Sequence, residues 1–569
     1  MTYSFLSRSK IVYLFIILFS LILLSKLFLV QVVHGNVYSE SADRQYATPS
    51  SDIYERGTIF FDSKDGNLIS AASQTEGYKV AIDPTKITNA ESVYQKLVKI
   101  TTIDHNNFIT RATKTNDPYE EVATELTKTQ ADAISALKIT GVSIFKEKWR
   151  VYPGGDLASN TLGIVGYQGD TLAGRYGLER TYDSTLARNS DNPYVNFFAE
   201  VFSNINKTLF KNDPEEGDVV TTIEPQVQSV LEKTLQGVQD QYSPDSLGGI
   251  IMNPKDGSIY AMAVKPDFNP NDVASVKNVS VLSNPLVENV LEFGSVVKPL
   301  VMAGALNEKV ITPETSYTDN GEVTIEKHQI FNFDKKGRGP GTTMQDVLNQ
   351  SLNTGMVFVE EKLGRVNLRN YLLSFGIKDK TGIDLPNETS GLVSNILTSP
   401  REIEYANAAF GQGIALTPIE MVRALASLAN GGNLVVPHVV KEIKYDDGLS
   451  KTMTYPETPT KITKATADEI TQMMVTVMDK EGANPGLEHY SIAAKTGTAQ
   501  VADKASGGYY ADRHTHSFVG FFPAYNPQFI IFLYAVNPKG VQYSVQTWFD
   551  PFKNITKFLL NYYDVPPDR

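Results

Sequence analysis

The segment Leu291–Glu308 reads LEFGSVVKPLVMAGALNE, with Ser295 and Lys298 three residues apart. On a helix that spacing puts both side chains on one face, about one turn apart. Pro299 is tolerated only in the first turn of a helix, so the helix must begin close to Ser295. A serine there sits near the positive end of the helix dipole. A neighbouring lysine can serve as general base if desolvation lowers its pKa. The pair is therefore an activated nucleophile without histidine. The same S-x-x-K spacing also occurs at Ser7/Lys10, Ser135/Lys138 and Ser143/Lys146, so alone it distinguishes nothing.

Two further elements follow in order. QSLNTGMVF holds Ser351 and Asn353 in an S-x-N arrangement, and YSIAAKTGTAQV holds Lys495, Thr496, Gly497 and Thr498. A second K-T-G occurs at Lys380, Thr381 and Gly382, but it follows a loop. The later copy lies between the alternating SIAA and HSFVGFFPA, which predict strands, so strand context selects Lys495. Each residue has a chemical task. Ser351 can pass a proton towards a leaving amine. Asn353 can bind a substrate amide and Lys298. Lys495 offers a positive charge to a substrate carboxylate, and the hydroxyls of Thr496 and Thr498 can donate to it. Gly497 is expected to let the strand backbone approach the substrate closely. The backbone N–H groups of Ser295 and Thr498 could form an oxyanion hole. His514 and His516 are expected to be strand or loop residues, because no G-x-S-x-G elbow surrounds a serine.

The elements needed to position these groups can be read along the chain. Thr58–Phe61 and the residues after Asp65-Gly66 predict a hairpin, and 90–136 alternates helical patches with polar loops. GDVV from Gly217 predicts a strand, followed by an amphipathic helix led by Pro225. GGIIMNPKDGSIYAMAV predicts strand, Asp256-Gly257 turn and strand. HSFVGFFPA and FIIFLYAVN predict two more strands, and Trp548–Tyr562 a closing helix. Strands at both ends with helices between them predict an α+β domain with one central antiparallel sheet covered by helices.

The ordered triad S-x-x-K, S-x-N, K-T-G resembles the signature of the penicillin-binding proteins. The resemblance is to the class B type and covers nearly the whole chain. Arg56-Gly57 with the Asp65-Gly66 hairpin, then Arg150, Tyr152, Pro153 and Gly154, then Gly174, Gly177 and Glu179 are similar to three motifs of that class's elongated, non-catalytic pedestal. Gly411–Gly432 is similar to a helix-bearing segment of its transpeptidase domain. FDSKDG and ARNSDN depart from the usual pedestal pattern. The resemblance implies attack by Ser295 on the penultimate D-Ala of a peptidoglycan stem peptide, crosslinking to a neighbouring stem, and acylation by β-lactams. It implies no metal or organic cofactor. Implied partners are a SEDS-type glycosyltransferase and other division or elongation membrane proteins. QSLNTGMVF and GLERTYDSTL are more similar to the septal, division-specific branch than to the elongation branch. An elongation enzyme, a D,D-carboxypeptidase, a β-lactamase or sensor, and a non-catalytic division scaffold are the alternatives.

Composition is compatible with this. The 569 residues suggest several domains, and the 41% hydrophobic share allows a sizeable core. A net charge of −12 argues against a nucleic-acid partner. The absence of cysteine excludes disulfides and thiolate chemistry. Residues 11–33 read IVYLFIILFSLILLSKLFLVQVV, long enough for a membrane-spanning helix. Arg8 and Lys10 before it place the N-terminus in the cytoplasm and the bulk of the chain outside. No small-x-small cleavage site follows, which favours an anchor over a signal peptide. The expected plan is a cytoplasmic tail (1–10), an anchor (11–33), a pedestal (34–235) and a transpeptidase domain (236–569).

Overall fold

The computed structural model describes residues 19–20, 55–168, 171–188, 216–446, 448–480, 486–503 and 507–569. The anchor expected at 11–33 and the polar tether after it lie outside the described residues, Phe19 and Ser20 excepted. Among the described residues no helix is long and apolar enough to cross a membrane.

The chain divides into two compact units. In the smaller, the described part is Glu76–Trp149, apart from Phe19 and Ser20. Helices Ala90–Leu97, His105–Ala112 and Lys128–Ala136 accompany strand Glu120–Leu126, which pairs antiparallel with the later part of strand Leu68–Ile82. Val80, Ile82, Leu97, Phe108, Leu126 and Ile134 form its core. The strand Glu120–Leu126 replaces a stretch expected to be helix and loop. Its sequence EEVATEL has little apolar alternation, and pairing with a neighbour, not burial, defines it.

The larger unit comprises Glu55–Thr75, Arg150–Asn189 and Val201–Arg569. Its main sheet has five strands: β1 (Ser246–Met252), β2 (Ile259–Lys265), β3 (Ala493–Ala502), β4 (Tyr509–Phe522) and β5 (Phe529–Val536). Their order is β2-β1-β5-β4-β3, antiparallel throughout. The terminal segments of the domain thus pair as expected, Ile250 opposite Phe532. Strands β1, β2 and β5 read as nearly continuous apolar runs because both faces are covered. Leu247, Ile251, Leu533 and Ala535 join one core, with α1 (Pro225–Tyr242) and the C-terminal helix Ser544–Tyr562. Their sequence neighbours Ile250, Met252, Phe532 and Tyr534 join the other core. The two-residue period of a strand produces this division.

At the centre of the second core lies α2 (Lys298–Asn307), every residue of which from Lys298 to Leu306 is buried. A helix apolar on all sides belongs in an interior. It is preceded by a single 3-10 turn, Gly294–Val297, and Pro299 sits in its first turn, which puts Ser295 at the helix mouth as the proline requires. α3 (Asn353–Leu363), α4 (Pro418–Ala429) and α5 (Lys464–Lys480) complete this layer. The closing helix, α6, spans Ser544–Tyr562 and so begins before the expected Trp548.

A second sheet in the same unit joins distant parts of the sequence. Strand Gly217–Thr221 pairs antiparallel with Val440–Tyr445 and parallel with Ile59–Asp62. The three expected pedestal motifs meet close by. Arg56 Nε donates to Glu179 Oε2 at 2.5 Å and Arg150 Nε to Glu179 Oε1 at 2.6 Å. Arg150 Nη1 donates to the Gly57 carbonyl at 2.7 Å, and the Tyr152 hydroxyl to Glu179 at 3.3 Å. The side chains of Arg56 and Glu179 are fully buried. Gly174 allows this packing, since a Cβ there would overlap the Glu179 carbonyl.

Candidate active site

The three motif elements, far apart in sequence, converge on one cleft of about 740 Å³ lined by Ser295, Ser351, Asn353, Lys495, Thr496 and Thr498. Ser295 projects from the turn before α2. Lys298, one turn on, is fully buried. Its Nζ donates to the Ser351 carbonyl at 2.7 Å and to Asn353 Oδ1 at 2.8 Å, with the Ser351 hydroxyl at 3.3 Å. Asn353 Nδ2 donates to the Phe331 carbonyl at 2.9 Å, which leaves its oxygen facing the lysine. Two acceptors that cannot donate therefore hold two N–H bonds of Lys298. A neutral amine has only two, so its lone pair is directed elsewhere. Burial first, and the nearby positive charge of Lys495 second, push the Lys298 pKa well below its ordinary range.

Lys495 reaches the same hydroxyl from the edge strand β3. Its Nζ donates to Ser351 Oγ at 3.1 Å and to the Thr496 carbonyl at 3.1 Å. Ser351 Oγ accepts from Lys495, so its own proton is available to another group. Ser351 holds a left-handed backbone, φ +53, between helix Met344–Asn349 and α3. Such a conformation is costly for a residue with a Cβ and clusters at functional sites. On β3, Thr498 Oγ1 accepts the Ser544 N–H at 3.2 Å, leaving its proton free to donate. Lys380, Thr381 and Gly382 lie outside any strand; Thr381 donates to Glu388 and lies apart from this cleft.

Gly497 is explained differently from the expectation. Its missing side chain faces the Ser295 turn, not the cleft. A Cβ would overlap the Phe293 carbonyl and the Ser517 hydroxyl and lie 3.1 Å from Val296. The glycine lets β3 lie against the nucleophile turn. Ser517 Oγ donates to the Phe293 carbonyl at 2.8 Å, and the Phe293 ring stands edge-on to Phe532 at 5.0 Å. His516 is a buried structural residue: Nε2 donates to the Gln542 carbonyl at 3.1 Å and Nδ1 accepts from Thr547 at 2.8 Å. Burial lowers its pKa to about 4, so it is neutral. His514, on the same strand, lines the cleft.

Several supporting residues were not evident from sequence. Gly294 (φ +62) donates its N–H to the Gly411 carbonyl at 3.2 Å, and Gly411 (φ +83) packs against Gly294 so closely that a Cβ would overlap the Gly294 carbonyl. This contact fixes the turn that carries Ser295. Gly411→Ala is accordingly expected to slow acylation of Ser295 at least about tenfold, since small displacements of reacting groups carry penalties of that order. Stopped-flow acylation by a chromogenic β-lactam measures it, and a rate within twofold of wild type would count against this role. A second support is Asp319, 1% exposed. It accepts from Thr354 Oγ1 at 2.7 Å, from Asn332 Nδ2 at 3.0 Å, and from the backbone of Gly321 and Arg338 at 3.0 Å each. Thr354 follows Asn353 at the start of α3, so one buried carboxylate ties that helix to the segment 319–338. The Asn320-Gly321 pair, a turn signal, was the available clue.

A serine at the mouth of a buried helix, a desolvated lysine behind it and a cationic edge strand beside it make this a serine acyltransferase domain. Residues 247–555 match the family described as penicillin binding protein transpeptidase domain, and residues 54–222 the penicillin-binding protein dimerisation domain. The chain belongs to the class B penicillin-binding proteins and is a serine-type transpeptidase. It is 30% identical over 552 residues to stage V sporulation protein D of Bacillus subtilis, covering 94% of this chain and 82% of that one. It is 26% identical to the peptidoglycan D,D-transpeptidase FtsI of Buchnera aphidicola subsp. Schizaphis graminum, covering 99% and 96%. Penicillin Binding Protein 2X from Streptococcus thermophilus shares the fold, with a TM-score of 0.71 at 20% identity over 89% of this chain and 79% of that chain.

Proposed function

We propose that the chain crosslinks peptidoglycan stem peptides through an acyl-enzyme on Ser295, at the division septum, from an anchor at residues 11–33 in the cytoplasmic membrane with the catalytic domain outside. The observation that carries this is the hydrogen-bonded cluster in which Lys298 meets Ser351 and Asn353 and Lys495 meets Ser351, at the cleft that Ser295 lines. Neutral Lys298 takes the Ser295 proton as Oγ attacks the penultimate D-Ala carbonyl carbon. The N–H groups of Ser295 and Thr498 receive the oxyanion, while Lys495, Thr496 and Thr498 hold the terminal carboxylate. As the C–N bond breaks, Ser351 passes a proton to the departing D-Ala amine, replenished from Lys298. An amine of a second stem then attacks the ester, forms the new amide and returns the proton to Ser295. β-Lactams follow the first half of this path.

The septal assignment is supported by QSLNTGMVF and GLERTYDSTL. A stage-specific role like that in the name of the Bacillus subtilis relative is the second reading. A fluorescent fusion that gathers at midcell in every dividing cell supports the first; one confined to a developmental stage supports the second. A pedestal at 34–235, a transpeptidase domain at 236–569 and contact with a SEDS-type glycosyltransferase through anchor and pedestal complete the proposal. The deciding experiment is labelling of the full chain with a fluorescent penicillin. Wild type is expected to label and Ser295→Ala not at all; equal labelling of the two, or none of either, overturns the assignment. Incubation with D-Ala-D-Ala peptide and an amine acceptor should give crosslinked dimer. Hydrolysis alone would make the enzyme a carboxypeptidase.

A further inference from the structure

The protein carries a net charge of −12, yet among the described residues no aspartate or glutamate lines the cleft. Its charged lining is Lys335, Arg338 and Lys495. Lys495 belongs to β3 and the Ser351 cluster. The other two belong to a separate loop, Asn332–Arg338. Arg338 is already paired with Asp334 at 2.9 Å. Lys335 has no carboxylate partner among the described residues; its Nζ lies 5.3 Å from the centre of the Phe331 ring. Cation–π contact of this kind holds a lysine in place without neutralising it.

The loop is built to present that charge. Lys335 adopts φ +56, a backbone region L-residues avoid, and is held there by its N–H donating to the Asn332 carbonyl at 2.9 Å. Asn332, 1% exposed, is fixed in turn by buried Asp319. Gly337 passes so close that a Cβ would lie 2.5 Å from the Asp319 carbonyl. Phe331, beneath the lysine, is the residue whose carbonyl orients Asn353. The strained lysine is thus rigidly coupled to the catalytic cluster and left unneutralised beside it.

We infer that Lys335 selects donor peptides carrying a second carboxylate on the acyl side of the scissile bond, distinct from the terminal carboxylate. This rests on the transpeptidase reading above. With the scissile carbonyl at Ser295 and the terminal carboxylate on β3, the acyl portion of the donor must occupy the rest of the cleft, where Lys335 is the unpaired charge. Arg338 is a secondary contributor, since Asp334 offsets it.

The test uses the full chain in detergent and two penicillins that differ by one group: benzylpenicillin and its side-chain α-carboxyl derivative. The readout is the ratio of their acylation rates. Lys335→Ala is expected to lower the ratio, dicarboxylate over monocarboxylate, about three- to fivefold, the scale of one solvent-accessible ion pair. Lys335→Glu should lower it further, and raised salt should compress the wild-type ratio. Lys336→Ala, an exposed neighbour outside the cleft lining, should leave it unchanged. An unaltered ratio in both Lys335 variants, or an equal drop in Lys336→Ala, overturns the inference. Failure of wild type to be acylated by either penicillin would instead remove the transpeptidase reading itself.

Discussion

Lys298→Ala should lower the rate of Ser295 acylation by about 10²–10⁴-fold, the range general-base catalysis contributes. The argument is one of protonation and geometry together. Lys298 is fully buried, its two shortest bonds go to oxygens that only accept, and burial plus Lys495 lowers its pKa well below 10.5. The active form is the neutral amine, so acylation should rise with pH as Lys298 loses its proton and then level off. Because the pKa is depressed, the plateau should be reached well below the ordinary lysine range. Lys298→Arg should be as slow as the alanine variant, since guanidinium stays protonated. In both variants the ascending limb should vanish from a pH profile of β-lactam acylation. Removing the nearby charge with Lys495→Ala should move the limb towards alkaline pH. A profile in Lys298→Ala with wild-type shape would eliminate the lysine as base.

The second large effect concerns folding. Glu179→Ala should destabilise the protein by about 3–5 kcal/mol, the cost of breaking a buried ion pair by removing one partner. Glu179 takes charge-assisted bonds from Arg56 and Arg150, and its side chain and that of Arg56 are completely buried. Alanine leaves two guanidinium groups facing each other without their shared anion. Asp183, which accepts from Arg56 at 2.7 Å, relieves only one of them. Glu179→Gln, which keeps the shape but not the charge, should fall between alanine and wild type. Thermal melting of the full chain reads this directly, and an unchanged transition in Glu179→Ala would refute it.

These two cases differ in how far the sequence exposed them. Ser295, Lys298, Asn353 and Lys495 were legible because the chemistry needs fixed residue types at short spacings, and strand context separated Lys495 from Lys380. Strands β1, β2 and β5 of the main sheet were legible as apolar runs bounded by turn signals. Arg56, Arg150 and Glu179 were visible only as three separate motifs; that they form one buried cluster depends on long-range packing that no local period encodes. The Gly294–Gly411 contact and the Asp319 hub were missed for the same reason. Strand Glu120–Leu126 was missed because its polar residues hide the alternation that marks a strand. The reason for Gly497 was misjudged because strand periodicity alone does not say which face meets substrate and which meets protein.

The sheet formed by Ile59–Asp62, Gly217–Thr221 and Val440–Tyr445 bears on how the enzyme can be divided. The strands on the two sides of Gly217–Thr221 come from either side of the proposed pedestal boundary, and Ile59, Val219 and Val440 are all fully buried. A catalytic fragment begun after residue 235 would keep Val440–Tyr445 but lose its neighbour Gly217–Thr221 and, beyond it, Ile59–Asp62, baring a strand edge of the kind that templates aggregation. The catalytic sequence is therefore not a self-sufficient folding unit: soluble fragments should retain the chain from Glu55 onward, and evolutionary exchange of the pedestal would require exchanging part of the enzyme's own sheet.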